Sequence, residues 1–215
     1  MSEAKYYFEQ AYKTGSDIWT HIPYMPTALS LIRELPTGSL VLDMGSGRGI
    51  WALRLADLGY RVIGIDYVER AVEVANNEVR NRNIADHARF MVGNATEIPL
   101  TDMSMDAVTD IGLLQHLAQD TWATYIKEVA RVLKDEGLFI TVSLSRDTQS
   151  FMGVDLLKAT TGHVEKYGLT YYFFTDEEMH TLTEDSFELI EKRKETVTIG
   201  SDVVTLLFSK MKKKW

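Results

Sequence analysis

The run Asp43-Met44-Gly45-Ser46-Gly47-Arg48-Gly49 pairs an acid with three alternating glycines. Glycines at that spacing permit a tight turn and let a ligand come close to the backbone. A helix starting just after them offers free N–H groups and a partial positive charge, which suit a carboxylate or a phosphate. Asp43 adds a negative charge beside them. That charge opposes a pyrophosphate but favours a ligand that also carries an ammonium. A second acid, Asp66, ends the run Val62-Ile63-Gly64-Ile65-Asp66, where a carboxylate can accept hydrogen bonds from ribose hydroxyls. Two further residues have chemistry of their own. Asp110, at the end of an apolar run, can take up a proton, bind a cation or cap the following turn. His116, just beyond it, is either a general base or a structural histidine.

The elements that must position these residues follow from hydrophobic periodicity. Short apolar runs alternate with longer amphipathic ones after residue 38, the pattern of βα units on a mainly parallel sheet. Strands are predicted at Leu40 to Met44, Arg61 to Ile65, Ala88 to Val92, Ala107 to Ile111 and Leu138 to Leu144. Helices are predicted at Ile50 to Leu58, Glu69 to Arg82 and Trp122 to Leu133. In the second of these Ala71, Val72, Val74, Ala75 and Val79 stand near helical spacing. The last third predicts a helix over Asp176 to Leu182 with Thr175 as N-cap. Two strands follow, Phe187 to Glu195 and Val203 to Lys210, joined by a turn at Gly200-Ser201-Asp202. A terminal hairpin implies at least one antiparallel strand. Two stretches lie outside the βα repeat: Tyr6 to Leu35, with Trp19, His21, Tyr24 and Met25, and Arg146 to Phe174, with Tyr167, Tyr171, Tyr172, Phe173 and Phe174. The first is either plain packing or a lid over the site, the second either core or substrate pocket.

Four stretches in order carry a resemblance. They are Leu42-Asp43-Met44-Gly45-Ser46-Gly47-Arg48-Gly49, Val62-Ile63-Gly64-Ile65-Asp66, Phe90-Met91-Val92-Gly93-Asn94-Ala95, and Met105-Asp106-Ala107-Val108-Thr109-Asp110 running into Leu114-Gln115-His116-Leu117. Over roughly Leu40 to Leu144 the chain resembles the class I S-adenosylmethionine-dependent methyltransferase superfamily. The resemblance implies one α/β domain over residues 1–215, with a cap at 1–37 and a substrate-side insertion at 146–174. Its core would be a Rossmann-like, seven-stranded, mainly parallel sheet with an antiparallel C-terminal strand and helices on both faces. It implies that Gly45, Ser46 and Gly47 contact the methionine part of the cofactor through backbone atoms, with Asp43 beside the ammonium. Asp66 would hold the ribose hydroxyls, and Tyr67 would pack on the adenine. Asn94, where the family more often has Asp, and Ala95 would meet the adenine edge. Asp110, Ile111 and Gly112 would line the site near the transferable methyl, with Asp110 and His116 the candidate catalytic groups.

The bulk composition narrows the acceptor. The chain has 215 residues, a formal net charge of −8 and no cysteine. Thiol catalysis and cysteine-ligated zinc are therefore out, and no metal is expected. An acidic chain disfavours phosphate backbones, and the single basic run, Lys210, Lys212, Lys213 and Lys214, reads as a solvated tail. Asp110-Ile111-Gly112-Leu113 stands where methylation of base or glutamine amino groups commonly needs an Asn/Asp-Pro-Pro-Tyr/Phe motif. A small-molecule acceptor, methylated by in-line displacement, is the expectation. The N-terminus has no apolar signal region and no stretch approaches a membrane span, which points to the cytoplasm. Three rival readings stand beside this one. They are a dinucleotide dehydrogenase, an aminopropyl transferase, and a non-catalytic cofactor-binding protein. A methyltransferase acting on protein or RNA is a further alternative.

Overall fold

The structure is a computed structural model that describes residues 3–17, 25–159 and 161–215. Trp19, His21 and Tyr24, and the side chain of Met25, lie outside what it describes. Its centre is β1 (Leu40–Met44), hydrogen-bonded in parallel to β2 (Arg61–Asp66) on one side and to β4 (Met105–Ile111) on the other. A strand with neighbours on both edges and helices on both faces must be apolar almost throughout. Alternation sorts its side chains: Val41 faces one hydrophobic cluster, Leu42 and Met44 the other. The first cluster holds Leu29 and Ile32 of α2 (Met25–Ile32), Ala52 and Leu55 of α3 (Ile50–Asp57), and Val72, Ala75 and Val79 of α4 (Glu69–Arg82). The second holds Tyr125, Ile126 and Val129 of α5 (Trp122–Val132) and Met179 of α6 (Asp176–Thr183).

With β3 (Ala88–Val92), β5 (Leu133–Leu144), β10 (Phe187–Ile199) and β11 (Asp202–Lys213), the sheet has seven strands in the order β10-β11-β5-β4-β1-β2-β3. Strand β11 runs antiparallel to both its neighbours, and the other pairings are parallel. The chain winds outward from β1 to β3 and then returns to start β4 on the other side of β1. The carboxyl ends of β1 and β4 therefore diverge into a crevice, the place where open α/β sheets bind ligands. Two small hairpins, β6 (Ser150–Phe151) with β7 (Val154–Asp155) and β8 (His163–Lys166) with β9 (Leu169–Tyr172), fill the stretch that lay outside the βα pattern. Helix α1 (Glu3–Thr14) packs against α4 and β9.

Three expectations need correction. Strand β5 starts at Leu133 rather than Leu138. Leu133 pairs with Met105 and Leu138 with Ala107, so residues 134–137 bulge out, with Glu136 at φ 63°. Periodicity cannot see a strand interrupted in this way. The terminal strands extend further than Glu195 and Lys210, and β11 runs on to Lys213. The basic run is not a solvated tail. Lys210 is only 2% exposed and ion-pairs with Glu34, Lys212 pairs with Glu136, and the Lys213 and Lys214 ammonium groups donate to the Leu133 and Glu184 carbonyls. Pairing of β11 with β5 and β10 places these lysines against partners far away in sequence. Thr175 does cap α6, in a reciprocal pair with Glu178.

Candidate functional site

The three glycines of the first motif all have positive φ: 69° at Gly45, 52° at Gly47 and 80° at Gly49. L-residues rarely adopt such values. The turn they make is pinned to the end of β2. The Gly45 and Ser46 amides donate to the Ile65 carbonyl at 2.8 and 3.0 Å, and the Gly47 amide donates to Asp66 Oδ2 at 2.8 Å. These three amides are thus already occupied within the protein. The run Asp43–Gly49 leaves three buried polar atoms with no hydrogen-bond partner among the described residues, Asp43 Oδ2, Ser46 Oγ and Arg48 Nε. The other Asp43 oxygen accepts from the Thr109 hydroxyl at 3.1 Å, and that hydroxyl accepts from the Trp51 indole at 3.0 Å.

Asp66 is buried, and both its oxygens hold backbone: Oδ2 takes Gly47, and Oδ1 accepts from the Val68 amide at 2.9 Å. It thereby ties the Gly-rich turn to the second motif. Tyr67, beside it, is half-buried and edge-on to Phe8 of α1 at 6.2 Å, with the Lys5 ammonium 5.8 Å from its ring. Burial, and then the Asp66 charge, push its hydroxyl pKa up. After β3, Asn94 is exposed and its Oδ1 accepts from the Thr96 amide at 3.1 Å, while Ala95 is buried. Ile111 and Gly112, after β4, are half-buried.

Asp110 is wholly buried, and the structure gives it the capping role among those open to it. Its carboxylate accepts from the Leu113 amide at 2.7 Å, the Leu114 amide at 3.1 Å and the Tyr125 hydroxyl at 2.8 Å. These bonds hold the single 3-10 turn Leu114–His116 against the end of β4. His116 at its end places Nδ1 3.2 Å from the Thr170 carbonyl. A carbonyl only accepts, so Nδ1 carries the proton and Nε2 keeps a lone pair. The ring sits edge-on between Phe8, at 5.5 Å, and Tyr171 of β9, at 4.7 Å. Burial lowers its pKa to about 4, so the imidazole is neutral near pH 7.

Three carboxylates therefore stand at the carboxyl ends of adjacent strands: Asp43 on β1, Asp66 on β2 and Asp110 on β4. Loss of water is the largest reason that the Asp43 pKa lies well above its ordinary value, and repulsion from Asp110 and Asp66 raises it further. The residues that sequence reasoning missed are the holders: Thr109 behind Asp43, Tyr125 behind Asp110, and Tyr12 and Arg48 at the Gly-rich turn. Tyr12 and Tyr125 lie outside the four motifs, and Thr109 and Arg48 lie within them without a partner that the sequence could name.

Residues 41–137 match the methyltransferase domain family. A probable S-adenosylmethionine-dependent methyltransferase of Mycolicibacterium smegmatis is 37% identical over 113 residues, covering 53% of this chain and 41% of that protein. The 27-O-demethylrifamycin SV methyltransferase of Amycolatopsis mediterranei is 36% identical over 104 residues, 48% of this chain and 38% of that protein. The chain thus spans about two fifths of the length of these curated relatives. Among solved structures, Burkholderia thailandensis 1,6-didemethyltoxoflavin-N1-methyltransferase, with 1,6-didemethyltoxoflavin and S-adenosylhomocysteine bound, superposes with a TM-score of 0.81 at 22% identity. The match covers 99% of this chain and 88% of that one, and it establishes the shared fold. The four motifs, the strand order and the matched domain agree: residues 41–137 form a methyltransferase domain of the class I S-adenosylmethionine-dependent superfamily.

Proposed function

We propose that this chain transfers a methyl group from S-adenosylmethionine to a small-molecule acceptor by in-line displacement. The observation that carries the reading is the set of three buried carboxylates, Asp43, Asp66 and Asp110, with an Asp43 oxygen left unpartnered among the described residues. Buried anions that repel one another favour a cationic ligand and disfavour a pyrophosphate. A methyl donor carrying an ammonium and a sulfonium fits that field, and a nicotinamide dinucleotide does not. In this reading Asp43 and Ser46 hold the amino-acid end beside Gly45 and Gly47, and Asp66 receives the ribose. Tyr67, Asn94 and Ala95 border the adenine. Asp110, Ile111 and Gly112 shape the wall next to the methyl. Bound there, the cofactor supplies an electrophilic methyl on a good leaving group.

The chain's own task is then chiefly orientation. The His116 Nε2 lone pair is available to take a proton from a weakly acidic nucleophile, and the contact of Tyr171 with its ring supports reading 146–174 as the acceptor side of the site. The acceptors in the names of the rifamycin and toxoflavin enzymes are small molecules, which supports the same class here.

Calorimetric titration tests the reading: S-adenosylhomocysteine should bind and NADH should not. NADH binding with S-adenosylhomocysteine ignored overturns it. Release of S-adenosylhomocysteine against a metabolite panel then identifies the acceptor. For an acceptor with a weakly acidic nucleophile, His116→Gln should lower kcat by roughly 10²-fold or more, the usual share of a general base, with S-adenosylhomocysteine affinity unchanged. Because His116 titrates at about 4, kcat should be flat between about pH 6 and 8 and fall only on the acid side, where the base is protonated. An unaltered kcat in the variant removes His116 from the chemistry.

A further inference from the structure

We propose that Arg48 is a positioning residue that fastens α1 over the cofactor end of the site, an inference that rests on the cofactor reading above. One guanidinium nitrogen, Nη2, donates to the Tyr12 carbonyl at 2.9 Å and to Asp17 Oδ1 at 2.7 Å. Tyr12 lies in the last turn of α1, where carbonyls lack partners within the helix and the helix end is partially negative. A cation there satisfies one carbonyl and opposes that charge. Asp17 is buried, so its carboxylate meets the guanidinium with little screening. The guanidinium carbon also lies 5.7 Å from the Tyr12 ring centroid.

The fastening matters because of what α1 covers. A Cβ on Gly47 would lie 2.7 Å from the Tyr12 hydroxyl, so Tyr12 rests directly on the Gly-rich turn. One turn earlier, Phe8 meets both Tyr67 and His116, and its neighbour Tyr7 stacks on Tyr167 at 5.9 Å with the ring planes 6° apart. A single helix thus touches the loops after β1, β2 and β4 and the β8–β9 hairpin. A helix of 12 residues is marginal by itself and needs its docking contacts to persist. Arg48 belongs to the Gly-rich turn and holds the end of that helix, so retention of cofactor and docking of α1 are coupled through one side chain. Gly47 must then lack a side chain for a second reason besides its φ, which is to admit Tyr12.

The test uses the full chain with Arg48→Ala, Arg48→Lys and Asp17→Asn, read by amide hydrogen exchange and by stopped-flow dissociation of S-adenosylhomocysteine. Arg48→Ala should speed exchange across Glu3–Thr14 while β1, β2 and β4 stay protected, and should speed dissociation at least tenfold. Arg48→Lys, which keeps a cation, should recover part of both effects. Asp17→Asn, which removes only the charge, should move both in the same direction if Arg48→Ala fails to fold. Exchange in α1 at the wild-type rate, or exchange raised equally throughout the sheet, overturns the proposal. If the wild-type protein binds no S-adenosylhomocysteine, the cofactor reading fails, and the exchange measurements alone decide whether Arg48 holds α1.

Discussion

Asp66→Ala should reduce S-adenosylhomocysteine affinity by at least about 100-fold, for two separable reasons. A carboxylate accepting from ribose hydroxyls makes charge-assisted hydrogen bonds, each worth roughly 1.5–3 kcal/mol. The same carboxylate also pins the Gly47 and Val68 amides. Its loss leaves two buried N–H groups without acceptors, at about 1–3 kcal/mol each, and frees a turn whose shape depends on positive φ at Gly47. Asp66→Asn keeps one acceptor oxygen and should fall between wild type and the alanine variant in both affinity and stability. Titration calorimetry with S-adenosylhomocysteine and thermal unfolding, run on the same samples, separate the two contributions. Unchanged affinity in Asp66→Ala would remove the ribose role.

Asp110→Ala should be the most destabilising single change in the site, by about 3–5 kcal/mol, because it abandons buried donors that had a single shared acceptor. Leu113 N, Leu114 N and the Tyr125 hydroxyl all point at that carboxylate. For a chain of this size the melting temperature should drop by roughly 10 °C. Asp110→Asn preserves volume and one acceptor and should retain most of the stability. The pair also predicts a pH effect. Burial outweighs the donors and raises the Asp110 pKa from 3.8 to about 6. The folded state therefore holds this proton more tightly than the unfolded state does. Its contribution is fully present below about pH 4 and is lost as pH rises through about 6. Relative to Asp110→Asn, the wild-type protein should gain stability as pH falls from 7 to 4. A difference between the two that stays constant over that range would show that Asp110 titrates normally.

The site was legible in the sequence where chemistry is local. Turns that need positive φ must use glycine, so Gly45, Gly47 and Gly49 announced the first loop. The apolar run of a buried strand, the alternation of an edge strand and the 3.6-residue period of a helix are all local, so β1, β3 and α4 were read to the residue, and β2 to within one residue. The strand-end acids stood out because a charge at the edge of an apolar run is costly unless it is used.

What only the tertiary structure decided was which partners those groups keep. Asp110 reads equally as an acid–base group or a cap until Tyr125, from a helix fifteen residues on, is seen to donate to it. The four terminal lysines look like a solvated tail until β11 pairs with β5 and sets them against Glu34, Glu136 and two distant carbonyls. Arg48 has no partner that the sequence can name until α1 brings Tyr12 and Asp17 to it. Backbone conformation leaves its mark on residue type at the position concerned. A hydrogen bond across the fold depends on two positions at once, and neither alone reveals the other. The sequence therefore determined the Gly-rich turn, the acids beside it and the fold class they imply. The packing of α1, α5 and β11 decided what each charged side chain near that turn holds in place.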